Sequence, residues 1–222
     1  MPWESARIIG ISRRPPTGIE HLEADLSDPG SWPAVGESFR REMATFTGDR
    51  VALVQAAGTI QPLGFAGEVP TASYTANVLV NSAAPQVVGQ MFLATVGDLD
   101  IRRHLVMLTS GAARSVYPGW SSYGAAKAAT DQWVRNVGAE QSKRGGVEVL
   151  AVAPGTVDTA MQAQLRETSE ADFPRRQKFL DLHRGGRLSD PDDVARDIWR
   201  LLDRGLENGA VVDLRELAER GL

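Results

Sequence analysis

The sequence contains no cysteine among its 222 residues. Disulfide bonds, iron–sulfur clusters and thiolate zinc sites are therefore excluded. A surplus of basic residues is also missing, because 24 Lys and Arg stand against 28 Asp and Glu, for a net charge of −4. That balance builds no basic face of the kind that nucleic-acid binding requires, so we expect no nucleic-acid partner.

Long apolar segments are absent as well. No uninterrupted apolar run approaches the roughly 18 residues that a membrane-spanning helix needs, and we expect no membrane association. The first ten residues, MPWESARIIG, lack the basic start and long apolar stretch of a secretory signal. A cytoplasmic protein is therefore predicted, and its length and 42% hydrophobic fraction fit a single domain over residues 1–222.

Short apolar, β-branched segments alternate with longer helical patterns. Strands are predicted at 7–12, 20–25, 51–55, 104–109, 147–153 and 210–214. Helices are predicted after a capping Ser27 to about residue 46, and at 71–96, 121–142 and 190–202. This alternation indicates a Rossmann-like, doubly wound parallel sheet in three α/β/α layers. Residues 156–189 interrupt the alternation, and we predict a substrate lid over the carboxyl ends of the strands.

Tyr123 and Lys127 lie four residues apart in a predicted helix and therefore share one face. A lysine ammonium beside a phenol favours the phenolate, so the pair predicts a lowered tyrosine pKa and a proton donor or acceptor useful near neutral pH. The three histidines are scattered without metal-ligand spacing, and we expect no metal site.

Other polar segments follow the predicted strands in a regular order. Ser110 comes directly after the strand at 104–109, and Asn81 lies in the preceding helix. Ala57-Gly58 and the Pro154-Gly155-Thr156-Val157-Asp158-Thr159 segment follow two other strands. Together with the Tyr-x-x-x-Lys pair, these motifs resemble the classical short-chain dehydrogenase/reductase family over nearly the whole chain. Four stretches look closer still to its sepiapterin reductase and benzil reductase branch: Ala57–Pro62, Ser110–Ala113, Gly119–Ser121 and Pro154–Gln162.

The resemblance implies a catalytic role for each of four residues. Tyr123 is the general acid that protonates a substrate carbonyl, and Ser110 hydrogen-bonds the same oxygen. Lys127 holds the nicotinamide ribose, and Asn81 supports a water that links Lys127 to solvent. The family also implies a homodimer or homotetramer, assembled through the helices that carry Asn81 and Tyr123.

The same resemblance implies a cofactor site, with the nicotinamide supplying hydride. The resemblance implies that the nicotinamide end of the cofactor contacts six residues, Ala57, Gly58, Pro154, Gly155, Val157 and Thr159. It implies that the adenine end contacts Asp25 and Leu26. Arg13 and Arg14 follow the strand that meets the adenosine ribose, where arginine accommodates a 2′-phosphate, so NADP(H) is predicted over NAD(H). Trp120 and Met161 are candidate substrate contacts, and we expect a small carbonyl compound, a ketone or diketone, as substrate.

One part of the family pattern is missing. The family begins with a strand, a Thr-Gly-x-x-x-Gly-x-Gly turn and a helix, whereas this sequence has no Gly-x-Gly before Arg13. The missing strand is central in the family sheet order 3-2-1-4-5-6-7, so its absence predicts an N-terminally incomplete sheet with a gap of about 10 Å. The missing helix N-terminus is also the family's pyrophosphate site.

Three explanations of the missing motif stay open at this point. The chain is a fragment of a working enzyme, a truncated form with impaired cofactor binding, or a protein whose gap is filled by a partner or second copy. A non-catalytic family member is the alternative to a reductase. A hydrolase is disfavoured, because Gly119-Trp120-Ser121-Ser122-Tyr123 lacks the last glycine and the preceding strand of a nucleophile elbow.

Overall fold

The strands that the sequence predicts form two separate parallel sheets. The computed structural model describes residue 3 and residues 5–219, so residues 1, 2, 4 and 220–222 of the predicted domain lie outside the described residues. Strands β1 (Ile9–Ser12) and β2 (Glu20–Glu23) pair with each other. The larger sheet has the order β3-β4-β5-β6, with β3 at Arg50–Gln55, β4 at Arg102–Leu108, β5 at Glu148–Ala153 and β6 at Val211–Asp213.

Eight α-helices in the described part of the chain pack around these sheets. They are α1 (Trp32–Ala44), α2 (Thr71–Val78), α3 (Ala84–Val96), α4 (Ser121–Arg144), α5 (Ala160–Glu167), α6 (Arg176–Arg184), α7 (Pro191–Leu201) and α8 (Leu214–Glu219). The parallel α/β class predicted from the sequence is thereby confirmed. Among the described helices, none has the length and apolar composition that crossing a membrane requires.

The helix predicted at 71–96 is divided. Helices α2 and α3 are joined by a π-helical segment, Leu79–Ala83, which carries the buried Asn81. Such π segments insert an extra residue into a helix and frequently occur at functional sites. A single helix over 71–96 was predicted, so the insertion is a feature that only the structure shows.

Two predicted details at the ends of elements are wrong. Asp28, not Ser27, caps the turn before α1, since the Asp28 carboxylate accepts from the Gly30 amide. The Ser27 hydroxyl instead donates to Asp25 at 2.6 Å. The last strand ends at Asp213, because the Asp213 carboxylate accepts from the Arg215 amide and the chain turns into α8, which the sequence analysis did not predict.

The interruption of the sheet expected from the missing motif is present. In the described part of the chain, no strand pairs with β1 on the side away from β2, or with β3 on the side away from β4. Strand β3 is consequently half-buried from Arg50 to Val54, whereas β4 and β5 are almost fully buried in their centres. A strand with one unpaired edge retains backbone groups that water must satisfy.

An apolar cluster joins the two sheets in place of backbone hydrogen bonds. Ile11 and Leu22 of the small sheet, together with Leu53 of β3, pack against Trp32 and Val35 of α1. Helix α3 adds Ala84 and Val88 to the same cluster. The relative position of the sheets therefore depends on side-chain packing under α1 and α3.

Trp32 offers a direct test of this packing. We expect Trp32→Ala to lower the free energy of unfolding by about 3–5 kcal/mol, because it removes a large buried ring and leaves a cavity. It also deletes the hydrogen bond from Trp32 Nε1 to the Leu26 carbonyl at 3.2 Å. Denaturant unfolding measures the change. Val116→Ala, at a side chain that is 83% exposed, is the control and should change stability by less than about 0.5 kcal/mol.

Candidate active site

Ser110 is fixed at the carboxyl end of β4 by its own hydrogen bond. The residue is extended and caps a short 3-10 turn at Gly111–Ala113, where its Oγ accepts from the Ala112 amide at 3.1 Å. Because the hydroxyl oxygen accepts from the protein, its proton remains free to donate. Ser110 thus presents an O–H donor at the edge of the larger sheet where parallel strands end.

Tyr123 and Lys127 lie on the buried face of α4, one turn apart, as the spacing predicts. They are 7% and 5% exposed, and the Lys127 Nζ lies 5.8 Å from the centre of the Tyr123 ring. The Lys127 ammonium donates to the Leu108 carbonyl at 2.9 Å. The Lys127 side chain therefore lies between α4 and the carboxyl end of β4, the end of the strand that Ser110 follows.

Burial reverses the expected direction of the tyrosine pKa. Desolvation raises the pKa of Tyr123 above its ordinary value, and the neighbouring Ser110 hydroxyl only partly opposes this. Desolvation also lowers the pKa of Lys127 to about 8, against a raising effect of Asp131. The prediction that Lys127 lowers the tyrosine pKa is thus wrong for this structure, because the loss of solvent dominates both groups.

Asn81 holds the loop that follows β3. Its side-chain amide donates to the Thr59 carbonyl at 2.7 Å and to Asn77 Oδ1 at 3.0 Å, while its own oxygen accepts from the Thr59 amide at 3.1 Å. A Cβ added to Gly58 would lie 2.9 Å from that oxygen and 3.8 Å from Lys127 Nζ. Glycine at position 58 therefore allows this loop to pass directly beside the lysine.

Most of the predicted site residues line one cavity of about 480 Å³. It brings together the catalytic candidates Ser110, Tyr123 and Lys127, the cofactor candidates Gly58, Pro154, Gly155, Val157 and Thr159, and the substrate candidates Trp120 and Met161. Asn81 stands behind Gly58 rather than in the wall. Gly155 has a φ of +83°, and its lack of a side chain leaves room for Arg215, whose Cδ would lie 3.2 Å from an added Cβ.

The remaining candidates are not part of that wall. Arg13 and Arg14 are exposed at the end of β1, and Leu26 is buried in the cluster under α1. Asp25 accepts from the Ser27 amide and hydroxyl, which is the main reason that its pKa is lowered, with a smaller effect from Arg13. Ala57 is exposed beside the cavity. The candidates for the adenosine end therefore follow the strands of the small sheet, across the interruption from the catalytic candidates.

An aromatic cluster forms the outer part of the cavity. Trp120 packs against Tyr123 with ring centres 5.0 Å apart and against Phe173 at 4.7 Å, and Tyr117 and Phe179 complete it. Gly119 makes this packing possible, because at its φ of +91° a Cβ would overlap the Asp172 carbonyl. Segment 156–189 is tied at its ends by a bridge between Val157 and Ser189 and places Phe173 and Phe179 over Trp120.

Two of the cations that line the cavity, Lys178 and Arg215, were not predicted from the sequence. Three cations, Lys127, Lys178 and Arg215, line it without an acidic side chain in its described wall. Arg215 is held by Asp213, which accepts from its Nε at 2.9 Å and its Nη2 at 2.6 Å. Lys178 donates to the Tyr117 hydroxyl at 2.8 Å. Only α8 and the turn before it bring Arg215 to the site, and no local sequence motif signals that approach.

The cavity fits the nicotinamide end of a dinucleotide. Lys127 Nζ lies beside the side-chain-free backbone of Gly58, so a ribose would find a donor next to an open main chain. Gly155, Val157 and Thr159 line the same wall. The pyrophosphate end is different, since no glycine-rich turn links a strand to a following helix N-terminus in the described residues. The geometry of the described residues therefore suits only the nicotinamide end of such a cofactor.

Comparisons with known proteins agree with this architecture. The sequence pattern described as short chain dehydrogenase matches residues 11–170. A benzil reductase ((S)-benzoin forming) of Bacillus subtilis is 33% identical over 81% of this chain and 76% of its own length. The corresponding Bacillus cereus protein is 30% identical over 90% and 85%. Rat sepiapterin reductase is 31% identical over 76% of this chain and 64% of its own length.

Solved structures show the same fold. The KRED1-Pglu enzyme superposes with a TM-score of 0.78 at 22% identity, over 94% of this chain and 89% of that one. The angucycline C-6 ketoreductase LanV, solved with bound NADP, superposes with a TM-score of 0.68 at 24% identity, over 88% and 73%. At these identities the likeness concerns the fold.

The buried ammonium of Lys127 makes a testable contribution to stability. Burial lowers its pKa from 10.5 to about 8, which corresponds to a penalty of about 3 kcal/mol at neutral pH. Replacing it by methionine removes the penalty but also the hydrogen bond to Leu108, worth about 1 kcal/mol. We expect Lys127→Met to raise the free energy of unfolding at pH 7 by about 2 kcal/mol.

Urea unfolding at several pH values checks this expectation. Above pH 8 the wild-type lysine loses its proton in the folded state while the unfolded state still binds it, so wild-type stability rises and the advantage of Lys127→Met shrinks. Lys143→Met, at an exposed position near the end of α4, is the matched control. A Lys127→Met protein that is less stable than the wild type at pH 7 contradicts the argument.

Proposed function

The chain is a member of the short-chain dehydrogenase/reductase family, and on that premise we propose that it is an NADPH-dependent reductase of ketones or diketones. Family membership makes it an oxidoreductase that uses a nicotinamide cofactor and acts on a small molecule. One observation carries the finer proposal: Ser110, Tyr123 and Lys127 line a single cavity whose outer wall is aromatic. Carbonyl reduction needs a proton donor, an oxygen-binding donor and a cation in this arrangement.

The described side chains have distinct tasks in that reaction. When bound, the nicotinamide supplies the hydride that the carbonyl carbon accepts. Tyr123 gives its proton to the carbonyl oxygen, and its raised pKa keeps that proton on the phenol at neutral pH. The Ser110 hydroxyl, with its oxygen engaged by Ala112, donates to the same oxygen. Lys127 is charged below pH 8 and holds the nicotinamide ribose hydroxyls.

The walls of the cavity favour an aromatic carbonyl compound. Trp120 and Met161 border the cavity beside Tyr123, and segment 156–189 acts as the lid that covers it with Phe179. Flat rings stack well on aromatic walls, which exclude water from the reacting carbonyl. The relatives named benzil reductase support the same substrate class.

The preference for NADPH rests on the end of β1. Arg13 and Arg14 are exposed there, and no acidic side chain follows the strand directly to accept a ribose 2′-hydroxyl. Arginine matches a 2′-phosphate through paired N–H donors. The bound NADP in LanV is consistent with this choice.

A second candidate function is that of a non-catalytic family member with impaired cofactor binding. The unpaired edges of β1 and β3 favour it, because the two ends of the dinucleotide site stand on different sheets. A titration with NADPH, monitored by nicotinamide fluorescence and with NADH as the control, distinguishes the reductase from the non-catalytic protein. Saturable binding with NADPH preferred supports the reductase, whereas a folded chain that binds neither nucleotide supports the non-catalytic protein.

Tyr123→Phe tests the proton donor. We expect it to abolish reduction of an aromatic diketone such as benzil, because the ring stays while the transferable proton is lost. NADPH affinity should remain nearly unchanged. Consumption of NADPH measured by absorbance, with binding measured by fluorescence, checks both parts. Turnover retained in the variant would contradict the assignment of Tyr123 as the acid.

Arg13→Ala tests the choice of cofactor. Removing the guanidinium should weaken NADPH binding about tenfold and leave NADH binding almost unaltered, since only NADPH carries the 2′-phosphate that it would contact. Arg144→Ala, at an exposed arginine ending α4, controls for the general effect of a lost positive charge. Equal losses for both nucleotides would remove the argument for a phosphate contact.

A further inference from the structure

Arg215 lines the catalytic cavity, yet the mechanism above gives it no task. It lies at the start of α8 and reaches the cavity beside Gly155, where its Cδ and Cγ would lie 3.2 and 3.3 Å from an added Cβ. Its Nη2 would lie 3.8 Å from a Cβ added to Gly111, the residue that follows Ser110. The guanidinium therefore lies close to two positions without side chains, one of them next to the serine of the reaction site.

Asp213 fixes the orientation of this guanidinium. The Asp213 carboxylate is 3% exposed and accepts from Arg215 Nε at 2.9 Å and from Nη2 at 2.6 Å. It also accepts from the Arg215 backbone amide at 3.0 Å, so one buried group holds both the main chain and the side chain. A long side chain that is already ordered loses less conformational entropy when it binds a ligand. Arg215 is thus preorganised by contacts within the protein.

The pairing with Asp213 leaves the outer edge of the guanidinium open. An arginine side chain has five N–H donors, and Asp213 accepts from one on Nε and one on Nη2. The remaining N–H of Nη2 and both N–H groups of Nη1 have no acceptor among the described residues. These donors form a second fork, and its spacing matches the two oxygens of a carboxylate. The geometry therefore provides for one bidentate anion.

The charges around this fork favour an anionic ligand. Lys178 lines the same cavity, and it donates to a neutral partner, the Tyr117 hydroxyl. Asp213, and Glu216 at 3.9 Å from Arg114, offset part of the positive charge, but both acidic residues lie outside the described wall of the cavity. An anion inside the cavity would therefore meet cations at its wall and no carboxylate.

We propose that Arg215 is a specificity-determining residue that binds the carboxylate of an aromatic 2-oxo acid, and that Asp213 is the positioning residue behind it. The inference rests on the proposed function, since the reacting carbonyl is the one that Ser110 and Tyr123 bind. The approach of Arg215 Nη2 to the residue after Ser110 places the carboxylate beside that carbonyl, which is the arrangement of a 2-oxo acid. The aromatic cluster of the outer wall accommodates the ring.

The reaction of such a substrate is the proposed carbonyl reduction. The keto carbon gains the hydride that bound NADPH supplies, and the keto oxygen gains the proton of Tyr123. The products are a 2-hydroxy acid and NADP⁺, and Tyr123 regains its proton from solvent. The carboxylate takes no part in bond making, so Arg215 acts by binding and orienting the substrate.

Arg215→Met tests the carboxylate contact, with benzoylformate and its neutral methyl ester as the two substrates. Both compounds present the same ring and keto group, so the ratio of their kcat/KM values cancels effects that the variant has on both. We expect the ratio of acid to ester to fall about tenfold to a hundredfold, because a paired, charge-assisted hydrogen bond is lost. The loss should appear in the KM of the acid, because the contact exists before the transition state.

Arg204→Met is the matched control, at an exposed arginine outside the described wall of the cavity. It removes the same charge from the protein and should leave the ratio unchanged. Arg215→Lys keeps a cation beside Asp213 but lacks the second fork, so the ratio should fall by a smaller factor than in Arg215→Met. If Arg215→Met does not fold because Asp213 loses its partner, Arg215→Lys replaces it, and an unchanged ratio in that variant overturns the inference.

A binding measurement separates this inference from the proposed function. Calorimetric titration of benzoylformate into the free protein needs neither cofactor nor turnover, and we expect binding to be at least tenfold weaker in Arg215→Met than in the wild type. A wild type that reduces neither compound ends the proposed function, while this difference in binding still supports the carboxylate contact. Without turnover, equal titrations, or no binding by either protein, overturn the inference. With turnover, an unchanged ratio overturns it, and a simultaneous loss of NADPH affinity would make Arg215 a cofactor contact instead.

Discussion

The packing of α1 and α3 across an interrupted sheet is the constraint on which the rest of this structure depends. Trp32, Val35, Ala84 and Val88 hold the small sheet beside β3, where a continuous sheet would have used backbone hydrogen bonds. Apolar packing is non-directional, whereas a hydrogen-bonded ladder dictates spacing and register. The distance between the two ends of the proposed dinucleotide site therefore depends on this apolar cluster.

The larger sheet, by contrast, positions the catalytic candidates through continuous backbone pairing. The centres of β4 and β5 are fully buried, and their carboxyl ends carry Ser110 and the Pro154-Gly155 turn. Helix α4 is anchored there by the hydrogen bond from Lys127 to Leu108. This division places the catalytic candidates on the four-stranded sheet and the adenine-end candidates after the strands of the small sheet, which side-chain packing joins to the larger one.

Burial also decides the protonation of the site. Excluding water raises the pKa of Tyr123 and lowers that of Lys127, so each group is pushed toward its neutral form. For the tyrosine, the neutral form is the one that the proposed reduction needs, because it carries the proton. For the lysine, the proposed reduction needs the charged form, and Asp131 opposes the effect of burial on the Lys127 pKa only in part. The same desolvation thus serves one residue and must be countered at the other.

The sequence by itself determined the alternation of strands and helices and the face shared by Tyr123 and Lys127, because periodicity and spacing are local properties of the chain. The interruption beside β3 was expected from the resemblance to the family, whose first strand and glycine-rich turn this sequence lacks. Only the tertiary structure decided the direction of the Tyr123 pKa, the π-helical segment at Asn81 and the approach of Arg215 to the cavity. These depend on how much water each group loses and on which distant elements meet. Desolvation and long-range contact are set by three-dimensional packing, which the spacing of residues along the chain does not encode locally.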